Sequence, residues 1–170
     1  MSLVSHFVLP SDYGCIALVN PETYAGFVGE YWQLEQLIDH IVSEVNQHHI
    51  VAWGSVHGNW KIVIHNCLSN NSGYQEILGT IDSNKNLLLA NYESLTHIAQ
   101  FADEQLPLKG MENFIIKMNP GRYRCRIIQL FDPNEAESEK VFFQTQPHFR
   151  IELEEDETPV ETWTQIPWFP

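Results

Sequence analysis

One stretch limits the fold more than any other. Residues 119–132 read NPGRYRCRIIQLFD. Asn119-Pro120-Gly121 is a turn signal, because Pro presets φ and Gly accepts φ > 0. Beyond it the side chains alternate. Tyr123, Cys125 and Ile127 fall on one face, and Arg122, Arg124 and Arg126 fall on the other. This is a strand with an apolar side and a cationic side, closed by Asp132-Pro133-Asn134. Three of the nine basic residues of the chain lie on that one face.

One helix is equally legible. Leu34, Leu37, Ile38, Ile41, Val42 and Val45 recur at helical spacing and make a single apolar stripe, with Glu35, Gln36, Asp39, Ser43 and Glu44 on the opposite side. The spacing predicts a helix over about 31–47, within the usual boundary error of about two to four residues. Shorter apolar or alternating runs at 3–9, 13–19, 50–55, 60–65, 74–81, 87–90, 114–118, 141–145 and 148–153 read as strands set off by turn residues. Residues 50–55 and 60–65 are expected to pair as a hairpin around His57-Gly58-Asn59, with Trp53 and Trp60 on one core face. A helical turn or two is expected within 93–102. The fold class is α+β: mainly antiparallel sheet, sandwich-like, with one long amphipathic helix. Residues 1–158 form a single domain, followed by an aromatic tail over 159–170.

Charge narrows the partners. The 170 residues carry 22 acidic and 9 basic side chains, a formal net charge of −13. Binding to phosphate needs basic surface, so nucleic acid and anionic membrane are excluded as partners. No apolar run approaches the length of a membrane span. Acid gathers late in the chain: 10 of the 22 acidic residues lie between Asp132 and Glu161, against only Lys140 and Arg150. Cys15, Cys67 and Cys125 are an odd set without CxxC spacing, as expected of reduced thiols in a cytoplasmic protein. The N-terminus lacks the pattern of a signal peptide.

Four groups of residues bear on function. Arg122, Arg124 and Arg126 repel one another unless something anionic lies opposite. They suit a carboxylate or anion ligand, or a cross-strand ladder with Glu152 and Glu154. Glu154, Glu155, Asp156 and Glu157 form a solvated acidic run suited to a basic partner. Trp163, Trp168 and Phe169 in the tail are anchors for a partner or a second subunit, or a strap over the chain's own core. The eight histidines show neither HxxxH nor HExxH spacing, so no metal or cofactor is implied.

There is no GxSxG, GxxxxGK[ST] or GxGxxG motif, and Cys67 is the one thiol placed where a nucleophile would be tested. The expectation is a non-catalytic acidic binding protein, of inhibitor or immunity type, covering a basic protein partner. The alternative is a small-ligand-binding or enzymatic domain with a pocket between sheet and helix. Self-association through the tail is a third expectation.

Overall fold

The computed structural model describes residues 4–135 and 146–170. The strand expected over 141–145, and part of the loop expected over 134–138, lie outside the described residues. In chain order the elements are β1 (Val4–Ser11), β2 (Gly14–Val19), α1 (Leu34–Asn46), β3 (Ile50–Ser55), β4 (Gly58–His65), β5 (Gln75–Ser83), β6 (Asn86–Ala90), α2 (Tyr92–Gln100), β7 (Ile115–Lys117), β8 (Gly121–Gln129) and β9 (Phe149–Glu155). Two sheets result: five strands in the order β1-β4-β9-β8-β5, and four in the order β3-β2-β6-β7. Among the described residues every pairing is antiparallel except β4 with β9. The architecture is therefore α+β and mainly antiparallel, as the sequence predicts.

Burial explains the arrangement. The four-stranded sheet is covered on both sides, so its inner strand β2 is apolar throughout, and all six residues of GCIALV are buried. Ile16, Leu18, Val51, Trp53, Leu87 and Leu89 face the larger sheet. Cys15, Ala17, Val19, Ile50, Ala52, Leu88 and Ala90 face the helices, whose Leu37, Ile41, Val45, Leu95, Ile98 and Ala99 cover them. Small side chains on that side let helix backbones come close. The molecule thus has three layers, with the smaller sheet in the middle.

The helix expected at about 31–47 is α1. The Gln33 N–H donates to the Gln36 side chain at 2.8 Å and starts the helix. A second helix, α2, runs nine residues, longer than the one or two turns the sequence suggests. Asn91 caps it by accepting the Ser94 N–H at 3.1 Å. Elsewhere the expected hairpin is corrected. Strands β3 and β4 do not pair: β3 joins β2, while β4 joins β1 and β9. Trp53 and Trp60 still share one core, since the rings of both pack on Phe149 at 5.7 Å and 5.5 Å.

Candidate functional site

Strand β8 carries its three arginines on the outer face of the five-stranded sheet, and register decides what they meet. Asp82 lies across from Arg122 and accepts two bonds, at 2.7 and 3.1 Å. Arg124 pairs with Asp156 at 3.2 Å. Arg126 bonds Glu76 and, at 2.8 Å, Glu152, which also takes Arg150 at 2.7 Å. Glu152 is wholly buried. Burial by itself would raise its pKa, but hydrogen bonds from the Ser69 hydroxyl, Arg150, the Ser69 N–H and Arg126 outweigh it and hold the carboxyl below its ordinary value. Arg126 further donates to the carbonyls of Ser69 and Asn71, which pins that loop to the sheet. Four guanidiniums on this face therefore meet four carboxylates. Of the acidic run, Asp156 is engaged by Arg124, whereas Glu154, Glu155 and Glu157 are exposed.

The tail lies along the chain's own body. The Trp163 backbone is clamped by Asn46, whose side chain accepts its N–H at 2.8 Å and donates to its carbonyl at 2.9 Å. The Trp163 indole donates to the Leu78 carbonyl at 3.2 Å. Ile166 is buried, and the Gly54 N–H on edge strand β3 donates to Pro167 at 2.7 Å. Contact there is so close that a Cβ on Gly54 would sit 2.0 Å from the Trp168 carbonyl oxygen. Trp168 itself adopts a left-handed φ of 62°. Trp163, Trp168 and Phe169 are each half-buried against the two cores.

Sequence reasoning missed a different surface, over the helical layer. The first 60 residues contain no Lys or Arg, yet carry Asp12, Glu22, Glu30, Glu35, Asp39 and Glu44. Residues 91–108 repeat the pattern, with Glu93, Asp103 and Glu104 and no Lys or Arg, His97 lying 3.5 Å from Glu104. The fold brings the two segments together. Val28 and Gly29 both donate to the Ala99 carbonyl, at 2.9 and 3.0 Å, and this stitches the stretch before α1 to the end of α2. Phe27, Tyr31, Leu34 and Phe101 are exposed there, Tyr31 at 83%. Glu30, Glu35, Asp39, Asp103 and Glu104 are exposed among them. The run without any cation was readable in the sequence; its partner segment was not.

Cys15 and Cys125 are buried, and burial pushes both thiols up to about 12, so neither is a ready nucleophile at neutral pH. Cys67 is half-buried. His148 is fully buried and accepts the Lys61 N–H at 2.8 Å. Among the described residues no three His, Cys, Asp or Glu side chains gather as a metal site. Trp53 and Trp60 are fully buried in the core between the sheets. A cleft of about 450 Å³ opens elsewhere, between the two sheets, with Tyr123, Leu153 and Glu155 on one wall and residues 115–118 on the other. No described helix is long and apolar enough to cross a membrane.

No family model and no curated protein matches the chain. Solved structures do. "Crocagin biosynthetic gene J" aligns over 92% of this chain and 99% of its own, with a TM-score of 0.63 and 14% identity, and shares the fold. ComJ, described as an inhibitor of the DNA degrading activity of NucA from Bacillus subtilis, aligns over the same shares at a TM-score of 0.48 and 10% identity.

Proposed function

We propose that this chain is a non-catalytic binding protein, of inhibitor or immunity type, which covers a basic protein partner with its helical face. One observation carries the reading: the exposed Phe27, Tyr31, Leu34 and Phe101 are set among carboxylates on a surface whose two segments have no Lys or Arg. Apolar anchors surrounded by one sign of charge supply both halves of recognition. The aromatic side chains give buried area, and the field speeds and orients encounter. The arginine row contributes less, since its charges are satisfied within the chain. The exposed Glu154, Glu155 and Glu157 add a second acidic patch that strengthens long-range attraction.

The test compares the full chain with a Glu30→Lys/Tyr31→Ala/Glu35→Lys variant as baits for lysate of the source cell, at about 0.05 M and about 0.5 M salt, because screening shortens the reach of exposed charge. The expected result is a basic protein held by the wild-type chain at low salt, released at high salt, and lost from a variant with an unchanged circular dichroism spectrum. Retention of nothing basic, or equal retention by the variant, overturns the reading.

A further inference from the structure

Among the described residues the smaller sheet ends at β7, a three-residue strand with a neighbour on one side only. Its register shows what the other side offers. Met118 donates to the Lys85 carbonyl at 3.1 Å, and the next pair along is Lys117 opposite Asn86. Hydrogen-bonded and non-hydrogen-bonded pairs alternate along an antiparallel ladder. Lys117 therefore turns its N–H and C=O away from β6, toward the open edge. Residues 115–118 at that edge line the cleft of about 450 Å³.

The opposite wall belongs to the larger sheet. Ile64 and Leu153 are buried apolar side chains that line it, with the Tyr123 ring beside them. Ile116 completes the apolar floor from β7 itself. Glu155 stands at the mouth, exposed. Its charge is felt inside: burial first, and then Glu155, raise the pKa of the Tyr123 phenol. Edge backbone groups facing a cleft with an apolar floor are what an added strand requires, since main-chain bonds give affinity and alternate side chains enter pockets. The cleft volume is within the range of about 300–1,000 Å³ typical of ligand sites, enough for a few residues and too small for a domain.

We propose that this cleft takes an extended peptide segment of a partner protein, alternating apolar and basic residues, which pairs with β7 through Lys117. Apolar side chains of the segment lie on Ile64, Leu153 and Ile116, and a basic side chain meets Glu155. The net charge of −13 favours the same sign of ligand. This site is separate from the helical face, so either assignment can fail without the other.

The test is amide NMR on the full ¹⁵N-labelled chain. The probe is an acetylated, amidated hexapeptide of alternating valine and lysine. A second peptide is N-methylated at every other residue and cannot complete the ladder. The expected result is saturable shifts at residues 115–118, 123 and 155, with binding weaker by about tenfold or more for the methylated peptide, the size expected when one or two hydrogen bonds are lost. Lys117→Pro is also expected to weaken binding, since the backbone group it removes is an N–H that faces the open edge, where Pro is tolerated. Lys117→Ala, which removes the charge and keeps the N–H, is expected to bind at least as well as wild type. If the proline variant does not fold, the comparison of the two peptides on the wild-type chain still decides. The proposal is overturned by absence of saturable shifts at these amides, or by equal binding of the methylated peptide. It is also overturned if the same amides shift with protein concentration alone, which would place a second copy of the chain in the cleft.

Discussion

Arg126 and Glu152 meet at 2.8 Å on the outer side of the five-stranded sheet, where the carboxylate has no exposure to water at all. A carboxylate so placed is stabilised only by its partners, and Arg126, Arg150 and Ser69 supply them. Removing Glu152 takes the carboxylate from Arg150 and leaves Arg126 with Glu76, so Glu152→Ala is expected to cost about 3 kcal/mol, the low end for breaking a buried pair. Urea denaturation measures it. In a cycle with Arg126→Leu the two losses should fall well short of additive, because the residues share one network.

Acid should loosen the fold in two stages. Burial, then Arg122, lowers the pKa of His48; burial, then Arg150, lowers that of His65. A histidine whose folded pKa lies below the unfolded value of about 6.5 gives stability that is present above pH 6.5 and lost as pH falls through that value toward the folded pKa. Glu152 has the same sign at lower pH: its contribution is present above the unfolded carboxyl pKa of about 4.3 and is lost as pH falls through its depressed folded value. Thermal melts between pH 8 and pH 3 should show both declines. His48→Asn, which suits the left-handed φ of 67° at that position, combined with His65→Asn, should flatten the first and leave the second.

The tail should respond to one methyl group. Gly54→Ala puts a carbon where the Trp168 carbonyl lies, and the expected loss is about 1–3 kcal/mol by overpacking. Asn46→Ala removes both backbone clamps on Trp163 and should cost a similar amount, about 1–3 kcal/mol for the backbone groups left unmatched. Chymotrypsin cleavage at Trp163 and Trp168 should accelerate in both variants. A chain ending at residue 158 should be less stable than the full chain but show the same number of subunits by light scattering, since Ile166 is buried against its own core.

Tyr31→Ala should leave stability within about 0.5 kcal/mol of wild type, because surface substitutions away from special features usually do. It should nonetheless abolish capture of a basic partner. A matched urea midpoint with lost capture separates a contact residue from a structural one.

Local features were legible in the sequence. The α1 stripe declared itself because one face of an isolated helix must be apolar, and Leu37, Ile41 and Val45 are indeed buried. The alternation in β8 was readable because Cys125 and Ile127 face a core while Arg122 and Arg126 face outward. Strand partnership was not readable. Val51 and Trp53 are as apolar as Ile62 and Ile64, and nothing local says that the chain changes sheet at Val56. Charge pairing was equally hidden. The count of acids pointed to the chain's end, but Asp82 and Glu76, far away in sequence, join Glu152 and Asp156 in neutralising the arginines. The β7 cleft draws on residues from Ser5 to Glu155, and no window of sequence contains it.

The position of β9 has a consequence for synthesis. It slots between β4 and β8, and the bond from Lys61 to His148 at its threshold spans 87 positions along the chain. Until those late residues leave the ribosome, the larger sheet exists only as two unjoined ribbons, β1 with β4 and β5 with β8, each offering a raw border to any neighbouring nascent chain. The protein is therefore most exposed to misassembly until β9 has been made and placed, and a chaperone that guards it would have to act in that interval.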